Sequence, residues 1–501
     1  GIIFQVFGEF QKARSCYEKA IQIQPEAYAS YYNLGLVFKE LGELQKAVDC
    51  HQKSIQIQPN HVDAYNNLGI VFKKLGEHQK AISCFEKAIK IQPNFADAHY
   101  NLGISLKELG EHQKAISCFK KTIQINPNYA GAHNNLGVVF NELGEYKKAI
   151  NFYQKELKLK PNSINAQANI SSIYISQLDN LKKAIRASYK ALKIHHESSK
   201  FINQRISLYH LKHDVQQAEY LSSKKYKING IEKFQKIGNE ILSRKENRED
   251  DNNFNKKILL NQDEINSLLP FYKANHIYQT SKISESCINP GKNWQDVEKQ
   301  YFNSPKQIIY IDDFLSNEAI KELREFCLVS KIWYREYENK YLGSFSNRGF
   351  ISPIHLQIAI DLKQKLPQLF GQHRLGNFWA FKYDTTLGKG INIHADYAIH
   401  NLNFWITPDE YNNDKNLGGL KVYDAPAPED WTFQKYNNNV DEVYKFLNDN
   451  NANCTNIPYK FNRAVLFNSA YFHETDKINF KDEYEGRRIN ITYLFGNRLV
   501  K

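Results

Sequence analysis

Apolar positions in the first third of the chain follow a helical period broken at fixed intervals. Within residues 62–95, Tyr65, Leu68 and Phe72 fall on one face of a first helix, and Ala81, Phe85 and Ala88 on one face of a second. That is the three-and-four spacing an α-helix with one buried stripe produces. The whole pattern returns every 34 residues. Pro25, Pro59, Pro93, Pro127 and Pro161 keep the interval, as do Gly35, Gly69, Gly103 and Gly137, then Gly8, Gly42, Gly76, Gly110 and Gly144, then Ala13, Ala47, Ala81, Ala115 and Ala149. Four independent columns in register predict a stack of helical hairpins. Gly69 and Ala81 are small where paired helices approach closely, Gly76 permits the turn between them, and Pro93 blocks continuation into the next unit.

The N-L-G, G-E, A and P columns resemble tetratricopeptide repeats (TPRs), which implies an all-α superhelical solenoid with a concave binding face. On that alignment regular units occupy 28–61, 62–95, 96–129 and 130–163, preceded by a partial one. Gly1 stands in the column of Gly35, so a fragment of a longer solenoid is expected. After Pro161 the columns decay. Asn169, Tyr174 and Ala184 suggest a fifth unit with one inserted residue, and Ile202, Ile206, Tyr209 and Ala218 a looser sixth. These units are expected to cap the stack, giving a solenoid domain over 1–232. One more column, Asn33, Asn67, Asn101, Asn135 and Asn169, sits one residue before the Leu or Ile column. It resembles the asparagine ladder of the O-linked N-acetylglucosamine transferase family, which implies capture of an extended peptide by its backbone. A side-chain amide both donates and accepts, so it suits that task whatever the peptide's sequence. The other reading, inherited repeat consensus with solvated amides, stays open. Cys16, Cys50, Cys84 and Cys118 recur beside the aromatic column and read as small core groups.

From 233 to 300 the periodicity is lost and a connector is expected. Ser243 to Lys257 is charged, Asn-rich and short of residues to bury, hence mobile. Ile258 to Tyr272 predicts a short docking helix interrupted at Pro270. A further domain opens with a β-type run at Ile308–Ile311, followed by Ser316 as a helix cap. Beyond Phe378 aromatic and β-branched residues rise and turn residues recur, so 301–501 reads as α+β with a β core.

That domain contains His394-Ala395-Asp396, whose alternating side chains can converge on one ion from a single strand. An apolar run, Asn462 to His473, brings a second histidine, and Glu485 to Phe495 opens a strand with two arginines. Two imidazoles and one carboxylate make the facial triad that leaves three positions open on Fe(II). On these residues the C-terminal region resembles the Fe(II)- and 2-oxoglutarate-dependent dioxygenases of prolyl-hydroxylase type. The resemblance implies a double-stranded β-helix (jelly-roll) core, with Fe(II) on His394, Asp396 and His473 and Arg488 pairing with the far carboxylate of 2-oxoglutarate. The resemblance also implies dioxygen as the second cosubstrate and ascorbate as an accessory reductant. Asn490 stands where that family more often has Ser. Arg487 is the alternative to Arg488, because a shift of one residue reverses the face of a strand. Tyr383 occupies the place of a tyrosine that bonds 2-oxoglutarate in such enzymes, and reads equally well as a core aromatic. Gly388 and Gly390 shape the preceding loop, Trp405 forms a pocket wall, Leu417 to Asp424 a structural strand, and His400 reads as a solvated histidine off the metal.

Composition narrows the picture mainly by exclusion. With 42% hydrophobic and 13% aromatic residues in 501, the chain has enough to bury in several domains. No apolar run approaches a membrane span, so no membrane partner is expected. The net charge of +12 is dispersed among acids, which argues against nucleic acid. Seven cysteines without a CxxC pair fit a reducing compartment, hence a cytoplasmic placement. The expected function is hydroxylation of a C–H bond in a protein or peptide bound by the solenoid. The alternatives are a non-catalytic TPR scaffold with an inactive oxygenase-like domain, a small-molecule hydroxylase whose repeats assemble complexes, and, least, a repeat-bearing glycosyltransferase.

Overall fold

The computed structural model describes residues 1–178, 180–198, 205–244, 257–281, 283, 286–337, 341–384 and 390–496. Ile202, Gly388 and most of the stretch expected to be mobile, 245–256, lie outside these residues. The chain forms two compact units, Gly1–Ala166 and Gln167–Lys501.

The first unit is a solenoid of antiparallel helix pairs. Tyr28–Glu40 pairs with Leu44–Ile57, Val62–Lys74 with His78–Ile91, Ala96–Glu108 with His112–Ile125, and Ala130–Glu142 with Tyr146–Leu159. Each pair turns through the same device. Gly42 adopts φ +79°, its N–H donates to the Lys39 carbonyl, and the Glu43 N–H donates to the Phe38 carbonyl at 2.9 Å. This left-handed cap satisfies the orphan carbonyls of the helix end. The other small column lies beneath aromatic rings: a Cβ on Gly69 would sit 2.5 Å from Phe85, and one on Gly137 2.5 Å from Tyr153. Glycine is therefore what lets the two helices close.

The same aromatic column holds a histidine in one repeat. His51 is fully buried against Gly35, where Phe85 and Phe119 stand one and two repeats later, and neither ring nitrogen has a hydrogen-bond partner among the described residues. Burial, with Lys39 and His61 nearby, pushes its imidazole down from 6.5 to about 3. Below pH 6.5 the unfolded chain takes up a proton that the folded repeat refuses, so this repeat loses stability as pH falls from 6.5 toward 3. His51→Phe restores the column's aromatic ring and removes that dependence. The expected outcome is amide-exchange protection in Tyr28–Glu40 and Leu44–Ile57 that declines in acid for the native chain and far less for the variant.

The second unit is built on antiparallel sheets. Its strands are β1 (Arg205–Ser207), β2 (Lys257–Leu259), β3 (Ile308–Ile311), β4 (Arg335–Tyr337), β5 (Tyr341–Phe345), β6 (Leu375–Tyr383), β7 (His400–Trp405), β8 (Leu420–Pro426), β9 (Cys454–Ile457), β10 (Ala464–Asn468), β11 (Tyr471–Thr475) and β12 (Ile489–Phe495). One sheet runs β3-β10-β7-β12-β6-β5-β4, a second β11-β8-β9, and β1 pairs with β2. Alternation along the strands divides their side chains. Leu402, Phe404, Ile489, Ile491 and Tyr493 join the helices Asn317–Val329 and Pro353–Lys365 in one core. Phe381, Tyr383, Trp405, Val465 and Phe467 point the other way and meet Leu420, Val422 and Ile457 of the small sheet. The large sheet thus lies between helices and the small sheet.

The β run at Ile308–Ile311 and the Ser316 cap, which accepts from the Ala319 N–H at 3.3 Å, are as the sequence indicates. Three expectations change. The helices Leu181–Ser198 and Leu208–Ser223, read as terminal repeats capping a solenoid to residue 232, belong to the second unit and pack on its sheet domain. Ser188 Oγ donates to the Ser346 carbonyl at 2.6 Å, Tyr189 OH to the Ile351 carbonyl at 2.8 Å, and Gln217 Nε2 to the Ser330 carbonyl at 3.0 Å. A cap and a docking helix present the same amphipathic stripe, so periodicity could not separate them. Ile258 and Leu259 are strand, and the helix that follows, Gln262–Lys273, opens on an Asn261–Glu264 capping box and continues through Pro270 in its last turn. Much of 233–300 is likewise ordered structure, including Ile231–Ser243 and Trp294–Asn303.

Candidate functional site

The segment carrying His394 and Asp396 is tied to the edge of the small sheet. An antiparallel bridge pairs His394 with His473, its N–H···O contacts at 3.0 and 2.8 Å, and the Asp396 N–H donates to the Ser469 carbonyl at 3.1 Å. The two histidines, far apart in sequence, therefore stand side by side with ring centroids 4.3 Å apart. One ligand atom from each of His394, Asp396 and His473 lies within 4.8 Å of the others, and His473 Nε2 is 3.4 Å from Asp396 Oδ2. His394 Nδ1 sits 2.8 Å from the Asn392 carbonyl and His473 Nδ1 3.0 Å from the Tyr471 carbonyl. Carbonyls only accept, so each Nδ1 carries the proton and each Nε2 offers its lone pair. Burial, reinforced by His473, pushes His394 down to about 4, which keeps the imidazole neutral. Burial alone would raise the Asp396 carboxyl, but the two histidines beside it, His473 first, and the Asn401 amide hold it below its usual range, so it is ionised. Two imidazole nitrogens and an ionised carboxylate are the donor set of a divalent first-row metal.

Arg488 and Arg487 fall on opposite faces of the large sheet. Arg487 points toward the helices and donates to Gln216 Oε1 at 2.7 Å. Arg488 points into the space between the sheets, beneath a box formed by Tyr383, Trp405 and Tyr459, whose ring centroids lie 4.9, 5.6 and 5.9 Å from its guanidinium carbon. Its Nε donates to the Gly418 carbonyl at 2.6 Å and its Nη2 to the Gly419 carbonyl at 3.3 Å. Gly419 is required there, since a Cβ would collide with the Ile457 carbonyl. Nη1 of Arg488 and Nε1 of Trp405 are buried without a hydrogen-bond partner among the described residues. A buried cation with a free donor is costly unless an anion completes it. Tyr383, fully buried, directs its hydroxyl to within 3.4 Å of Thr475 Oγ1.

His400 lies apart from the triad. It is half-buried against Tyr301, Phe370 and His373 rather than solvated, because its strand position faces the helix side. Leu417 to Asp424 is more than a structural strand, since its glycine carbonyls seat Arg488. Three polar residues beside the triad carry no motif, Asn401, Asn403 and Thr492; with Asn490, which the resemblance singled out, they are buried and hydrogen-bonded in series. The alternation in His400–Trp405 (HNLNFW), two amides among apolar residues at a spacing of two, was the available signal.

In the solenoid, Asn33, Asn67, Asn101 and Asn135 line up within the first unit, and Asn169 falls in the second. Asn67 Nδ2 donates to Tyr32 OH at 3.2 Å and to the Asp63 carbonyl at 3.0 Å, and Asn135 Nδ2 to Tyr100 OH at 3.1 Å and to the Gly131 carbonyl at 3.0 Å. Asn101 Nδ2 donates to Asn66 Oδ1 at 3.0 Å. Both amide hydrogens are thus engaged at two rungs, so those rungs present acceptors rather than the donor–acceptor pair expected from composition.

Models of the tetratricopeptide repeat match residues 26–94, 96–129 and 130–163, and a TPR model matches 8–42. Among solved structures, MamA is similar at 28% identity, over 32% of this chain and 92% of that one, with a TM-score of 0.30. YrrB, described as a TPR protein with an unusual peptide-binding site, is 23% identical over 36% of this chain and 93% of its own, TM-score 0.31. The Cut9–Hcn1 hetero-tetramer of the APC/C is 20% identical over 39% and 38%, TM-score 0.35. No curated protein matches the chain significantly. No helix among the described residues is long and apolar enough to cross a membrane. Residues 8–94 and 96–163 are thus tetratricopeptide repeats, joined in sequence to a region of antiparallel sheets.

Proposed function

We propose that the chain is an Fe(II)- and 2-oxoglutarate-dependent dioxygenase that hydroxylates a C–H bond of a protein or peptide recruited by its repeats. The observation that carries the reading is the meeting of His394, Asp396 and His473 between the same two sheets as a buried arginine whose Nη1 has no hydrogen-bond partner among the described residues. The strand order β10-β7-β12-β6, faced by the His394 segment, β11, β8 and β9, supports reading the domain as a double-stranded β-helix. Bound together, Fe(II) and 2-oxoglutarate supply the oxidising chemistry: dioxygen is consumed, succinate and carbon dioxide are released, and C–H becomes C–OH. The residues do the rest. The histidines hold Nε2 toward the metal through their backbone-anchored Nδ1–H groups, and Asp396 supplies the compensating negative charge. Arg488 pairs with the distal carboxylate of 2-oxoglutarate, Tyr383 donates to it, and the Trp405 and Tyr459 rings keep water from that ion pair.

TPR modules are protein-interaction scaffolds, and the ladder suits the N–H groups of an extended peptide. Held by the same chain, such a peptide meets the metal at a raised effective concentration. Replacing Asn67, Asn101 and Asn135 together by Ala removes three acceptors at about 1 kcal/mol each, so KM for a peptide substrate should rise roughly 100-fold with kcat little changed. An unchanged KM favours the reading in which the repeats only assemble complexes around a small-molecule hydroxylase. Succinate release on adding Fe(II), ascorbate and 2-oxoglutarate tests the enzyme itself; none under saturating cosubstrates leaves a non-catalytic scaffold.

A further inference from the structure

Burying amides on an otherwise apolar sheet face is unfavourable unless every one is bonded, so a run of them asks what it serves. On the inner face of the large sheet, Asn401 Nδ2 donates to Asp396 Oδ2 at 2.6 Å. Asn403 Nδ2 donates to Asn401 Oδ1 at 2.6 Å. Asn403 Oδ1 in turn accepts from Thr492 Oγ1 at 2.6 Å and from Asn490 Nδ2 at 2.9 Å. Asn401 is fully buried and the other three nearly so. The two strands are adjacent, with Thr492 opposite Asn403. The polarity of this series is fixed by its end. A carboxylate only accepts, so Asn401 must turn its NH2 toward Asp396, which leaves its oxygen for Asn403, whose oxygen then faces Asn490 and Thr492. Every donor points toward the carboxylate, the arrangement in which successive hydrogen bonds strengthen one another.

Resting on the metal-site reading above, we infer that Asn401, Asn403 and Thr492 form an orienting relay that fixes the Asp396 carboxylate for the metal. They are positioning residues acting through Asp396. Asn490 carries the relay's far end onto the strand that bears Arg488, two residues away on the same face, so the relay runs from the metal ligand toward the cosubstrate arginine. Groups that hold a ligating carboxylate set metal affinity by about 10- to 100-fold.

The test is Mn(II) affinity in the full chain without cosubstrate, read by the electron paramagnetic resonance signal of free Mn(II) and paired with thermal melting. Native protein should bind one Mn(II). Asn401→Leu should weaken that binding about 10- to 100-fold, and Thr492→Val, a same-shape change remote from the metal, should weaken it measurably with little change in melting temperature. Should Asn401→Leu fail to fold, Thr492→Val decides alone. Unchanged Mn(II) affinity in folded variants overturns the relay, whether or not melting shifts. Failure of native protein to bind Mn(II) overturns instead the metal-site reading on which it rests.

Discussion

Asp396→Ala, and equally His394→Ala, should abolish one-to-one divalent-metal binding and lower succinate release by at least about 10³-fold. The proposed facial set has three protein ligands. Without Asp396 only the two imidazoles remain, and no charge in the set balances the cation. The loss is larger than that of one bond, because Asn401 Nδ2 is then left buried without its acceptor. The helical circular-dichroism signal should stay near the native value, since each repeat is stabilised by its neighbours and uses no metal. A variant that retained native metal affinity would remove Asp396 from the site.

Arg488→Lys has the next largest effect. Lysine keeps the charge but not the geometry: its ammonium cannot reach the Gly418 and Gly419 carbonyls and still present a flat pair of donors to a carboxylate. It also loses the stacked fit against Tyr383, Trp405 and Tyr459. Loss of one bidentate charge-assisted contact, about 3 kcal/mol, predicts a KM for 2-oxoglutarate raised about 100-fold while metal affinity without cosubstrate is unchanged. Arg487→Lys should leave that KM near native, as its guanidinium binds Gln216 on the helix side of the sheet. An equal rise in both variants would contradict the face assignment.

The sequence made the solenoid legible because local contacts build it. Gly69 beneath Phe85, and Gly42 in its left-handed turn, recur at one interval and announce their role by repetition. The pairing of His394 with Asp396 was legible for a different reason: a spacing of two lets both side chains converge, although the structure holds this segment by an isolated bridge at His394 and not, as expected, in a strand. The distal partner required a resemblance, since nothing local to His473 shows that it bridges to His394. The same limit hid the seat of Arg488, two glycine carbonyls some seventy residues upstream, and the relay from Thr492 to Asp396, which crosses between strands distant in sequence. The helices Leu181–Ser198 and Leu208–Ser223 were misplaced because an apolar stripe states that a helix is covered, not by what. Ser188 and Tyr189, which fix Leu181–Ser198 to residues 346–351, look like ordinary surface polar groups until both segments are seen together.

The most direct test is an anaerobic titration of the full chain with Fe(II) and 2-oxoglutarate, followed by the metal-to-ligand charge-transfer absorption of the chelate. A band that saturates at one equivalent, disappears in Asp396→Ala and needs far more 2-oxoglutarate in Arg488→Lys is the predicted result. Saturating metal and cosubstrate with no band, or a band that survives Asp396→Ala unchanged, would contradict it.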